Sequence, residues 1–199
     1  MTMTRRDDLP EVTILCEDID QERFIREYLI CCGLEEHKIK DYGNPKGRVI
    51  ENNNASIVEH YPALIKSHRR RKYRNIAVVV MIDADEDSVS DKMRFLHKAL
   101  DEAAGNLNKD PRLRDDKVAI FVPARNIETW FYYINNNMEG QECNENTDYK
   151  NDKMSAAERI ELAESAAKKL AREICPQGVD RITLPSLRYA CTELQRLQL

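Results

Sequence analysis

The chain has 199 residues, 33% of them charged and 42% apolar, with a formal net charge of −4. That length holds one α/β domain with a real core plus a helical appendage. The composition excludes a membrane protein, because the longest apolar run, residues 76–82, is far too short to span a bilayer. The net acidity argues against coating nucleic acid through bulk charge but leaves room for a local basic face.

The opening residues, MTMTRRDD, lack the apolar core of a signal peptide, so a cytoplasmic location is expected. Six cysteines, at 16, 31, 32, 143, 175 and 191, show neither a C-x-x-C pair nor zinc-ligand spacing. They are read as reduced, structural thiols, several of them acting as small buried hydrophobes.

Residues 12–16 (VTILC) form a short β-branched run that stops at Glu17 and Asp18. From Asp20 the spacing becomes helical, with Phe24, Ile25, Tyr28 and Leu29 on one face. Asp20 is the expected N-cap and Gly33 the expected stop. A weaker strand is expected over 38–42, then a loop at 43–47, then a helix over 55–67 with Pro62 in its first turns or at a kink. Residues 75–82 (NIAVVVMI) are the strongest strand, continuously apolar as strands covered on both faces are. It ends in Asp83, Asp85 and Asp87, and a helix follows over 90–104. Residues 117–122 (KVAIFV) make a further strand, and 126–134 a helix capped by Asn126. Residues 137–153 are polar and patternless, as a loop would be. The capping box at 155–158 (SAAE) opens a helix to about 174, and Pro185 begins a last one.

Strand–helix alternation predicts an α/β fold, Rossmann-like, with a mostly parallel four-stranded sheet over residues 11–136 and helices on both faces. Residues 137–153 would be the loop, and 154–199 a C-terminal helical extension packing on the same domain. Ligand sites in such sheets lie beyond the carboxyl ends of the strands, at the point where the strand order switches. Both acidic clusters follow strands directly.

Strand alternation would aim Asp83 and Asp85 at one place, and Glu17 joins them if the first and third strands are neighbours. Crowded carboxylates raise one another's pKa unless a cation compensates, and Mg²⁺ or Mn²⁺ favours such oxygen ligands. Glu17, Asp83 and Asp85 are therefore the candidate metal set, with Asp87 and Glu128 as further carboxylates at the same edge. Acids after strands also serve as helix caps and turn formers, which is the reading preferred for Asp20, Asp87 and Ser90. Glu128 could equally be a surface residue favoured by its helix dipole.

The segments 15–21 (LCEDIDQ) and 80–85 (VMIDAD) resemble the two motifs of Toprim domains, an apolar strand ending in a lone Glu and another ending in D-x-D. The resemblance implies phosphodiester chemistry with Mg²⁺, Glu17 as general acid/base or metal ligand, and Asp83 and Asp85 as metal ligands and catalytic residues. Many members carry Gly after the Glu, where this chain has Asp18. In that respect it is more similar to divergent, OLD-type nuclease-related proteins that accompany ATPases in bacterial anti-phage systems. Residues 123–130 (PARNIETW), 148–150 (DYK) and 184–188 (LPSLR) are similar to small stand-alone proteins of that group.

The function so implied is a Mg²⁺-dependent nuclease acting on nucleic acid, DNA ahead of RNA, with a partner ATPase encoded nearby; self-association stays open. Lys46, Arg48 and Arg125 are the candidates for gripping phosphate near the metal. The basic run 67–74 (SHRRRKYR) precedes a strand and so belongs at the opposite edge. Trp130 is read as core rather than as a base-stacking platform. Two alternatives stand: a non-catalytic Toprim-like partner or regulator of an ATPase, and a HAD-like phosphatase using Asp83 and Asp85. The latter motif normally lies on the first strand. No Walker-type glycine loop is present, so any ATP use would come from another chain.

Overall fold

A computed structural model describes residues 9–42, 53–71, 73–104, 112–136, 143–150 and 153–199. Four parallel strands, β1 (Glu11–Leu15), β2 (Ile39–Asp41), β3 (Ile76–Met81) and β4 (Val118–Phe121), lie in the order β2-β1-β3-β4. The chain steps from β1 outward to β2, then crosses back to place β3 on the other side of β1. The order therefore switches between β1 and β3.

The connecting helices are α1 (Ile19–Cys31), α2 (Asn54–Arg70) and α3 (Val89–Ala104), followed by α4 (Ile127–Asn136), α5 (Ala156–Lys169) and α6 (Pro185–Leu194). They divide into two layers. Ile57, Tyr61 and Leu64 of α2 and Leu96 of α3 pack on Val78, Val80 and Ile120 at one face. Phe24 of α1, Trp130 and Phe131 of α4, Ala166 of α5 and Leu187 of α6 pack on Ile14, Val79 and Phe121 at the other. Every residue of β3 and β4 is buried, which is why those strands lack polar alternation. Trp130 is 1% exposed and donates from Nε1 to Ser186 Oγ at 2.9 Å, a core residue.

Local signals explain most element ends. The N-cap of α1 is Asp18, whose Oδ1 accepts from the Gln21 backbone N–H at 2.9 Å; Asp20, the expected cap, sits inside the first turn instead. Gly33 ends the segment with φ +98°, a conformation that costs other residues a steric clash. Asn53 caps α2, which runs through Pro62 in its middle rather than in its first turns, leaving the Val58 carbonyl without its usual amide partner. The Ser155–Glu158 capping box is formed in full. Beyond Lys169 the helix loosens into a π-helical stretch, Leu170–Ile174.

The outer side of β4 is finished by side chains. Arg112 Nη1 donates to the Val118 carbonyl at 3.3 Å, and the Ile120 N–H donates to Glu193 Oε2 at 3.0 Å. Arg112 and Glu193 are themselves a buried ion pair, so α6 is tied to the sheet through Glu193. All six cysteines are free thiols. Among the described residues no helix is long and apolar enough to cross a membrane.

Candidate functional site

The carboxyl ends of β1 and β3 are adjacent, paired in register from Glu11 with Ile76 to Leu15 with Val80. Glu17 and Asp83 leave the sheet side by side there. Glu17 Oε1 accepts the Asp83 backbone N–H at 3.0 Å, and the Glu17 N–H donates to Gln21 Oε1 at 3.0 Å. Gln21 is wholly buried, so the first turn of α1 fixes where Glu17 stands.

Asp85 takes another route. β3 ends at Met81, and strand alternation does not carry on through Asp83 to Asp85, because Asp85 turns the backbone to φ +54°. Asp83 is 3% exposed whereas Asp85 is exposed, its carboxylate accepting a hydrogen bond from Asn54 Nδ2. The loops after β3 and β4 stay paired beyond the strands: the Ala84 N–H donates to the Pro123 carbonyl at 3.0 Å, and the Asp85 N–H to the Arg125 carbonyl at 2.8 Å. Arg125 has φ +68°. Two residues in the left-handed region that bond directly to each other are a local store of backbone strain, and such outliers gather at functional sites.

The carboxyls feel one another. Burial pushes Glu17 from its ordinary 4.5 up to about 7, with the charges of Asp85 and Asp18 adding to it; the Asp83 N–H and Lys92 act in the other direction. Burial raises Asp83 well above the carboxylate range, reinforced by Glu17, Asp18 and Glu128 and opposed by Lys150. Glu128 is raised by its own burial, while Lys150 draws it back down. Asp83 Oδ1 and Glu128 Oε2 are buried with no hydrogen-bond partner among the described residues. Those are the oxygens with spare coordinating capacity. No set of three or more His, Cys, Asp or Glu side chains among the described residues is arranged to hold a metal ion.

The remaining candidates separate clearly. Asp87 pairs with Lys92 Nζ at 3.1 Å, and Lys92 also donates to Asn54 Oδ1 at 3.0 Å. Asp87 and Asp85 are thus linked through Lys92 and Asn54. Lys46 and Arg48 lie outside the described residues. Arg125 stands beside Asp148, whose pKa it helps to lower after the Lys150 N–H and Asn126 have done most of that. The basic run at the end of α2 leads into the start of β3, at the edge away from the acids, and Arg69 there pairs with Asp116 at 2.7 Å.

Lys150 is the residue that sequence reasoning missed. The described part of the polar segment 137–153 folds back onto α4: Asp148 Oδ1 accepts from Asn126 Nδ2 at 2.7 Å, and the Tyr149 ring stacks on Tyr132 at 4.1 Å. This brings Lys150 to the carboxylates: burial lowers its pKa, and Glu128, Asp83, Asp85 and Asp148 together outweigh that and raise it. Its one signal was the triplet DYK, since no periodicity marks the segment. Asp20 is the second omission, held by Arg159 Nε at 3.0 Å.

Compared with protein-family models, curated proteins and solved structures, the chain gives no match.

Proposed function

We propose that this chain is a Mg²⁺-dependent nuclease of the Toprim type, cleaving phosphodiester bonds in DNA or RNA, in anti-phage defence alongside a partner ATPase. The observation that carries the reading is the contact between Glu17 and Asp83 at the switch point of the strand order, the place where open α/β sheets bind ligands. It joins the two motifs that resemble Toprim domains. A cluster of acids with raised proton affinity and partnerless buried oxygens suits a hard divalent cation, which needs only one or two protein carboxylates besides water and phosphate.

In this reading Asp83 and Glu128 hold the cation, with Asp85 and Asp87 further out on the Asn54 and Lys92 side. The bound ion would neutralise charge developing on the phosphoryl oxygens. Glu17, with a pKa near 7, is suited to give or take a proton through its second oxygen, Oε2, while Oε1 stays bonded to the Asp83 N–H. Lys150 and Arg125 offer cations to the phosphate at the same edge.

The test is cleavage of plasmid DNA and of structured RNA with Mg²⁺ or Mn²⁺, comparing wild type with Glu17→Ala and Asp83→Ala. Cutting should vanish in EDTA, and each variant should lose about a hundredfold or more in rate. Metal-independent cutting, or variants as active as wild type, sinks the proposal. A wild type that cuts nothing, alone or with its ATPase, leaves the non-catalytic partner reading in its place.

A further inference from the structure

The six thiols differ in what surrounds them. Cys175 opens the short turn Cys175–Gln177, directly after the π-helical stretch Leu170–Ile174, and is partly exposed. Cys191 lies on α6 and is 5% exposed. The two sulfurs are 3.6 Å apart, and the Tyr28 O–H of α1 donates to Cys175 Sγ at 3.6 Å. Sixteen positions separate the pair in the chain, so no C-x-x-C spacing marks it.

Cys175 is set up for reaction rather than for packing. The Cys191 S–H holds the Cys175 thiol down at about 7, below the usual 9.0, and Tyr28 helps against the opposing effect of burial. The same contact raises Cys191, and burial adds to that. Burial raises Cys16, Cys31, Cys32 and Cys143 as well. A partly exposed sulfur held as thiolate by two donors is the kind that attacks an oxidant, whereas a thiol used as a small hydrophobe needs neither donor. The second thiol is already in contact, so it captures the oxidised sulfur ahead of thiols in solution. The sulfurs must close from 3.6 Å to the roughly 2.05 Å of a disulfide. The chain between them can give, because residues 175–184 are two single-turn helices flanking Gly178 with no regular helix or strand.

We infer that Cys175 and Cys191 are a redox pair, which a hydroperoxide converts to a disulfide joining the turn after α5 to α6; this stands apart from the nuclease reading. The Cys175 thiolate attacks one peroxide oxygen, the O–O bond breaks, and the departing hydroxide takes up the proton that Cys175 had shed, leaving as water. Cys175 is then a sulfenic acid. The Cys191 sulfur attacks it, the S–S bond forms, the S–O bond breaks, and a second water leaves with the Cys191 proton. Two thiols thus give two electrons to one peroxide. Since α6 is held to β4 by Glu193 and to Trp130 by Ser186, the bridge would fasten the end of α5 to the same framework.

In the experiment, the full chain is reduced, freed of reductant, exposed to a few equivalents of hydrogen peroxide, blocked with N-ethylmaleimide and digested with trypsin without reduction. Trypsin isolates each thiol: residues 173–181 carry Cys175 alone and 189–196 carry Cys191 alone. The expected product is these two peptides linked, two hydrogens lighter than their sum and parted by reductant. Cys175 should be consumed about fivefold or more faster than Cys31 or Cys32. In urea, where the fold no longer holds the thiols together, linkage of the pair should slow about tenfold or more. Cys191→Ala, its fold checked by circular dichroism, should leave a sulfenic acid on Cys175 that dimedone captures; the wild-type linkage needs no variant. Peroxide that leaves 173–181 unlinked, Cys175 joined mainly to another cysteine, or linkage as fast in urea as in the folded chain overturns the inference.

Discussion

The link between Glu17 and Asp83 is asymmetric: the Asp83 amide favours the charged form of Glu17, while the Glu17 charge disfavours the charged form of Asp83. One contact therefore holds the two strand ends together and adds to the burial that disfavours ionisation of Asp83.

Stability of the metal-free protein should fall as pH rises. Glu17 binds its proton more tightly folded, at about 7, than unfolded, near 4.5, so its contribution is fully present below the unfolded value and lost through the folded one. Asp83, Glu128 and Asp20 are shifted in the same direction and act alike. Urea unfolding in EDTA at pH 5 and pH 8 should show Glu17 alone accounting for on the order of 2–3 kcal/mol of the difference. Glu17→Gln should flatten the profile by that amount. Parallel profiles for the two proteins would show that Glu17 is not perturbed.

Divalent cation should reverse that loss. At pH 8, Mg²⁺ or Mn²⁺ at about a hundred times its dissociation constant should stabilise the fold by roughly 2.7 kcal/mol, and at pH 5 by much less, because ligands must shed their protons first. Asp83→Asn should leave the metal-free protein at least as stable as wild type at pH 8, since it replaces a buried carboxyl whose ionisation favours the unfolded chain by a neutral amide, yet abolish the response to cation. Thermal melts with and without metal decide it; an unchanged response in Asp83→Asn would remove Asp83 from the ligand set.

Lys150→Met should push the carboxyls further toward their neutral forms, because Lys150 is the cation that opposes both Asp83 and Glu128. Cleavage at neutral pH should drop about tenfold or more, with partial recovery at higher pH. A pH–rate profile superimposable on wild type would place Lys150 outside the site.

Breaking the Arg112–Glu193 pair should be costly. Arg112→Met or Glu193→Leu alone leaves a buried charge without its partner, a loss of about 3–5 kcal/mol. The double variant Arg112→Met with Glu193→Leu should recover only part of this, because the Ile120 N–H and the Val118 carbonyl lose their partners as well. Denaturant unfolding of the three variants gives the cycle; full recovery in the double variant would mean those backbone bonds carry little weight.

The sheet was legible because fully buried strands leave continuous apolar runs, and 76–82 is the longest in the chain. Trp130 was legible as core from its aromatic neighbours. Glu17 and Asp83 were legible as a pair only once β1 and β3 are known to be neighbours, a long-range fact that no local pattern carries. Alternation misplaced Asp85, since it holds only while the backbone stays extended, and the left-handed turn comes after the strand has ended. Asp18 and Asp20 are both good caps by type, and the earlier one won because its carboxylate reaches the Gln21 amide. Lys150 had only the short DYK triplet to mark it and no periodicity; tertiary bonds through Asp148 and a ring stack put it in place.

Arg112 and Glu193 also decide what β4 cannot do. By meeting an outward carbonyl and an outward amide two residues apart, they stand in for the strand that would otherwise lie alongside. A bare edge of this kind is a template on which another chain can extend the sheet, and here the template is already occupied. At the far side, among the described residues, β2 is a three-residue edge, Ile39–Asp41. Another strand adding at β4 would have to displace those two bonds, and losing the ion pair would expose an aggregation-prone margin as well as weaken the fold.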